Sequence, residues 1–198
     1  MTKVFHSFCD VCLRDWEPND VEKYAELVGD PQVMKFIGDG STRNLATASI
    51  EIERFRQEIE ARGWSRWAVS KGPNGPLMGY VGYAEKADGI DLGIRFLRQY
   101  WGSPYPYISG CLALEYGFEK ICFDQMYCVN DVNNKLAVKL VDRIARIAPF
   151  QVETPQGIYN RYEMTRETYY EKGIHNLNRI DMERLVSRMN RSNKAEAA

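Results

Sequence analysis

The stretch Arg98–Phe118, RQYWGSPYPYISGCLALEYGF, constrains the fold more than any other part of the chain. It follows a strand-like run, Gly89–Leu97, in which Ile90, Leu92, Ile94 and Phe96 alternate with Asp91, Gly93 and Arg95. It leads into an apolar segment of helical length. A strand, a short polar loop and a helix N-terminus, in that order, present free backbone N–H groups to an anionic phosphate. Pro104 and Pro106 stand where such donors are needed, and neither has an N–H. Gly102, Ser103 and Tyr105 keep theirs, so the loop is placed as an anion cradle with a reduced set of donors.

Hydrophobic periodicity organises the rest. Val11–Trp16 reads as the first strand. A helix follows with Val21, Tyr24 and Val28 on one face, capped by Asn19 or Asp20 and closed at Gly29. Leu45, Ala48, Ile52, Phe55 and Ile59 recur at spacings of three and four and predict a helix from about Asn44 to Arg62. Trp64–Lys71 and Leu77–Glu85 predict a hairpin across the Gly72–Pro76 turn, with Gly89–Leu97 as the next antiparallel partner. Pro106–Ile121 predicts a helix, Gln125–Val129 a short strand, and Asn134–Ile147 a helix that buries Leu136 with Leu140 and Ile144. Phe150–Glu153 and Tyr159–Thr165 predict a final strand pair. The sheet is expected to be antiparallel through Leu97, with the Leu97 and Val129 strands parallel and bridged by the intervening helix.

At 198 residues and a net charge of −1, the chain fits one mixed α/β domain over residues 1–170. Residues 171–198 read as an extension with one short helix, about Asp181–Asn190, and a disordered end, SNKAEAA. That helix either docks on its own domain or receives a protein partner. The charge balance argues against nucleic acid, and no apolar run has the length of a membrane span. Five cysteines without framework spacing and an N-terminus lacking a signal-peptide core fit a reducing cytoplasm. Cys9 and Cys12 form a C-x-x-C beside His6, a zinc half-site with nothing to complete it, so no metal is expected.

LRDWEPND (Leu13–Asp20), DPQVM (Asp30–Met34), MGYVGY (Met78–Tyr83), DLGIRF (Asp91–Phe96), YWG (Tyr100–Gly102) and VNDVNNK (Val129–Lys135), taken in order, resemble the GNAT acetyltransferase superfamily. Within it they are most similar to the branch that acetylates ribosomal-protein N-termini. The resemblance runs from about Val11 to about Thr168. It implies a mostly antiparallel sheet with a splayed parallel strand pair, acetyl-CoA in the splay, and its pyrophosphate on the loop after the Gly89–Leu97 strand. Carried over residue by residue, it implies contacts to the cofactor from Phe96, Leu97, Gly102, Ser103, Tyr105 and Asn133. In that pattern Pro104 replaces a Gly, Pro106 a Gly or Ala, and Leu136 a Ser. The loop is therefore a degenerate version of the family's.

Acetyl transfer to an amine needs a base, dipoles for the tetrahedral oxyanion, and an acid for the leaving thiolate. The resemblance places Asp91 where related enzymes often carry Glu, as the base acting directly or through water. Alternatively, Asp91 and Arg95 satisfy each other as a structural pair. Tyr127 and Cys128 on the preceding strand are the fallback candidates for the acid in place of the missing Ser, or else are structural strand residues. Trp64, Trp67, Tyr80, Tyr83, Tyr100, Tyr105 and Tyr107 either line an acceptor pocket or fill the core. Two functions follow. One is an N-acetyltransferase taking a small amine or a protein N-terminus. The other is a catalytically inert GNAT-fold binding or structural module, part of a larger assembly.

Overall fold

The structure, a computed structural model, describes the backbone of residues 2–196 and the side chains of residues 2–191. Two short strands, β1 (Val4–Phe8) and β2 (Val11–Arg14), form a hairpin at one edge of the sheet. The first strand is thus β1, not the Val11 strand. VFHSF is short and half-exposed, and so carries little alternation to read. Three helices follow: α1 (Asp20–Gly29), α2 (Pro31–Met34) and α3 (Leu45–Arg62). The Asn44 side chain accepts from the Thr47 N–H at 2.9 Å and starts α3, and Gly63, at φ 83°, ends it in the left-handed region that favours glycine. Ala48, Ile52, Phe55 and Ile59 are buried as the stripe predicts, but Leu45 is 54% exposed at the first turn. Neither expected side-chain cap forms on α1, because the Asp20 carboxylate turns to Arg14 and the Glu17 N–H instead.

The remaining strands are β3 (Arg66–Lys71), β4 (Leu77–Lys86), β5 (Gly89–Phe96), β6 (Gln125–Asp131), β7 (Phe150–Thr154) and β8 (Gly157–Thr165). They join β1 and β2 in one eight-stranded sheet, ordered β1-β2-β3-β4-β5-β6-β8-β7. Each neighbouring pair is antiparallel except β5 with β6, as the sequence predicts. The crossover between those two is α4 (Pro104–Tyr116), which runs into a π-turn over Gly117–Ile121. It starts two residues before the predicted Pro106, with Pro104 at its first position, where φ is already suited and no intrahelical hydrogen bond is lost. Pro106 through Leu114 are all buried, since the sheet, α5 (Lys135–Ala145) and α7 (Ile174–Glu196) enclose this helix. Gly110 makes the approach close enough: a Cβ there would lie 2.4 Å from Ile144 Cδ1 and 3.0 Å from Ile94 Cδ1.

Aromatic residues divide between the two faces of the sheet. Trp16, Tyr24, Phe55 and Tyr80 cluster beneath α1 and α3, whereas Trp67, Tyr83, Tyr116, Trp64 and Phe123 cluster on the α4 side. Of the suggested pocket aromatics, Tyr80 and Tyr83 line the cleft described below, and Trp67 is core.

Leu136 corrects the reading of α5. It is 56% exposed, while Val141, Ile144 and Ala145 form the buried face. At about 100° per residue, each step of four drifts by about 40° around a helix. Ile144 is fully buried, Leu140 half-buried, and Leu136 has left the interface. The C-terminal helix begins at Ile174, earlier than the expected Asp181, after a short α6 (Arg166–Glu171). It docks through Asn178, 3% exposed, which donates to the Ile144 carbonyl at 3.0 Å and accepts from Arg146 Nε at 2.8 Å. Arg146 Nη2 also reaches Asp181 at 2.6 Å. The expected disordered end, 192–198, lies outside the residues described in full.

A buried ion pair fastens the first helix to the sheet. Arg14 and Asp20 are 1% and 5% exposed and meet through two bonds of 2.7 and 2.8 Å. Arg14 also donates to Ser70 Oγ at 3.0 Å, the Asp15 carbonyl at 2.8 Å and the Gly75 carbonyl at 3.3 Å. Removing one partner strands the other charge, so Arg14→Met should lower unfolding free energy by about 3–5 kcal/mol, and Arg14→Met with Asp20→Leu should recover most of the loss. Urea denaturation of the three proteins checks this. Leu136→Ser, by contrast, should change stability by less than about 0.5 kcal/mol in the same assay, because the side chain it trims is on the surface.

Candidate active site

β5 and β6 share one register pair, Asp91 with Tyr127, and then diverge. Beyond it β6 pairs only with β8, and β5 only with β4, so the facing edges from Leu92 and from Cys128 onward have no strand partner among the described residues. A cleft of about 1050 Å³ passes through this splay. One wall is Leu92–Arg95 of β5, Cys128–Asp131 of β6 and the first turns of α5; the other is Tyr24, Phe36, Ile37, Glu51 and Phe55 from the helical layer. Inside the splay Asn130 Nδ2 is buried without a hydrogen-bond partner.

The polar face of β5 is occupied differently from either sequence expectation. Asp91 Oδ2 pairs with Arg66 Nη2 of β3 at 2.8 Å, not with Arg95. The Arg66 guanidinium also donates to the Gly82 carbonyl and lies over Gly93, where a Cβ would sit 2.2 Å from Nη1. Glycine at 93 is what gives this guanidinium its place. Arg95 lies over the Tyr80 ring at 5.2 Å; its Nη1 is 3.5 Å from Met34 Sδ, and its Nε is buried with no partner. Arg66 escaped the sequence reading. The available signal was a charged residue in an otherwise apolar strand, RWAVS, which is compatible equally with an edge position.

Tyr127 lines the same cleft, but its hydroxyl donates to Asp88 Oδ1 at 2.7 Å while its ring lies under Arg161. Burial, then the Asp88 bond, push its pKa above the usual tyrosine value. Burial likewise pushes the Cys128 thiol up to about 12, so it is protonated at neutral pH. Asn133 does not line the cleft; its backbone N–H donates to Asp131 Oδ1 at 2.7 Å, and Asn134 both caps α5 and lines the wall.

The remaining expected positions lie along the outer loop. The Phe96 and Leu97 side chains are buried, the Phe96 carbonyl accepts from Trp101 Nε1 at 2.9 Å, and the Leu97 N–H donates to Met78. Within the loop the N–H groups of Tyr100, Trp101 and Ser103 donate to Leu97, Arg98 and Tyr100 carbonyls. Ser103 Oγ also donates to Tyr100 O, at 2.6 Å. Gly102, at φ 73°, needs its glycine. Of the first three positions of α4, Pro104, Tyr105 and Pro106, only Tyr105 has an N–H to offer. Arg98 is paired with Asp30 at 2.7 Å, and Lys135 donates to the Val132 carbonyl at 2.8 Å. His6 and Glu115 approach at 3.3 Å, and no cluster of metal-ligating side chains occurs among the described residues.

The chain is 23% identical over 137 residues to the uncharacterized protein YkkB of Bacillus subtilis (strain 168), a match covering 67% of this chain and 77% of that protein. Its fold resembles an acetyltransferase of the GNAT family from Bacillus anthracis, with a TM-score of 0.71 at 16% identity over 84% of this chain and 99% of that one. It also resembles spermidine N-acetyltransferase from Vibrio cholerae, solved with CoA and spermine, with a TM-score of 0.63 at 16% identity over 81% and 98% of the two chains. The sequence model of the acetyltransferase (GNAT) domain matches residues 10–145, most of the 198, and the chain belongs to that family.

Proposed function

We propose that the chain is an N-acetyltransferase that moves the acetyl group of acetyl-CoA to an amine. The observation that carries this is the gap beyond Asp91 and Tyr127. There a strand edge of β5 and the orphaned Asn130 Nδ2 await hydrogen-bonding partners. A pantetheine arm, extended and bearing two amides, fits both needs as an added strand would. Acetyl-CoA supplies the activated acetyl group; the residues of the chain position the acceptor and handle its proton. Asp91, with Oδ2 held by Arg66, is oriented as the base, and backbone N–H groups of β5 beside Gly93 offer dipoles to the oxyanion. Tyr127 is the proton donor to the leaving thiolate, provided that its bond to Asp88 is given up. Five free cysteines suit a cytoplasmic setting.

A second reading, an inert binding module of the same fold with a degenerate pyrophosphate loop, is favoured by the loop at the start of α4. Two prolines remove donors there, and Arg98 and Lys135 are engaged elsewhere. Each lost charge-assisted bond costs about 1.5–3 kcal/mol, so two weaken CoA binding by roughly a hundredfold to ten-thousandfold.

The unfolding midpoint with and without acetyl-CoA separates the two readings, because a ligand of the native state raises it. An enzyme gives a clear wild-type rise, whereas the inert module gives little or none. Pro104→Gly with Pro106→Ala should give a larger rise and tighter calorimetric binding, since Tyr105 then has donor neighbours at a helix N-terminus. In the enzyme reading, Asp91→Asn lowers turnover by about 10²–10⁴-fold and leaves the acetyl-CoA midpoint rise unchanged. Unaltered turnover removes Asp91 from the chemistry.

A further inference from the structure

One guanidinium in the cleft has no anion. Among the cationic side chains on its walls, Arg43 pairs with Glu51, Arg54 and Arg62 with Glu58, and Arg66 with Asp91, while Lys86 is exposed at the rim. Arg95 is the exception at depth. No carboxylate of the described residues reaches it, and its buried Nε has no acceptor. The Tyr80 ring lies between the two guanidiniums, 5.7 Å from Arg66 and 5.2 Å from Arg95. Asp91 neutralises the first alone. An arginine donor shut away from both water and protein acceptors destabilises the fold, and the fork geometry of the group matches a carboxylate.

We infer that Arg95 binds a carboxylate of the acceptor, and that the acceptor is a free amino acid with an apolar side chain rather than a polyamine. The inference rests on the acetyl-transfer function proposed above. Arg95 stands on the same face of β5 as Gly93 and Asp91, so an acceptor anchored on it extends along the strand toward the splay. Phe36, Ile37 and Phe55 line the wall opposite and supply apolar contact for a side chain. A polyamine has only positive charge to set beside Arg95, and like charges repel.

The test uses product analogues, which need neither acetyl-CoA nor turnover. N-acetyl-leucine, N-acetyl-methionine and N-acetyl-phenylalanine, each as the free acid and as the carboxamide, are titrated into the full chain by calorimetry, with spermine alongside. At least one acid should bind about tenfold to hundredfold more tightly than its carboxamide, the range set by a charge-assisted bidentate contact. Arg95→Gln should bring that ratio to one, and Arg95→Lys should restore part of it. Because Arg95 makes no ion pair and is held only by Met34 Sδ and the Tyr80 ring, the unfolding midpoint of Arg95→Gln should stay close to that of the wild type. Acids no better than their carboxamides, a preference that survives Arg95→Gln, tighter binding of spermine, or a midpoint that falls sharply would each overturn the assignment. Failure of the acetyl-transfer reading is recorded separately, as an acetyl-CoA midpoint that does not move.

Discussion

Everything that distinguishes this sheet from an ordinary antiparallel one follows from a pairing that stops. β5 and β6 meet at Asp91 and Tyr127 and then part, although both strands continue. One packed layer lies against them. α4 sits on Ile94 of β5 and on Ile144 of α5, at a distance that only Gly110 permits, so the two helices and the sheet interlock there. The strands cannot close without displacing a helix buried on every side. The open edge is therefore maintained by hydrophobic packing at some distance from the polar groups it exposes.

That division explains what the sequence made legible. Strand alternation in Gly89–Leu97, the stripe of α3 and the hairpin around Gly72–Pro76 depend on local periodicity, and all three appear, the stripe without Leu45. The parallel crossover followed from topology once those elements were fixed. Leu136 was misplaced because an i, i+4 line looks straight in a sequence but drifts around a helix. β1 was missed because a short edge strand has one covered face and few residues with which to announce it.

The candidate site was legible in type rather than in partnership. A carboxylate, a glycine and a guanidinium on one strand face could be read directly. That Asp91 would be met by Arg66 from two strands away could not, because cross-sheet pairing depends on register, which periodicity does not record. The same applies to Asn133 and Asn134: adjacent identical residues differ only in where the helix begins, and the second of them faces the cleft.

The pair formed by Arg14 and Asp20 also bears on the order in which the chain closes. Asp20 is six residues from Arg14, but Ser70 and Gly75 are 56 and 61 residues away. A guanidinium withdrawn from water before those remote acceptors arrive would have donors unmatched, which is unfavourable in a collapsing chain. Its full set of partners is complete only once β3 and β4 have turned back on each other. Contacts made that late add little to the speed of folding and act chiefly to slow the native protein's escape from its folded state.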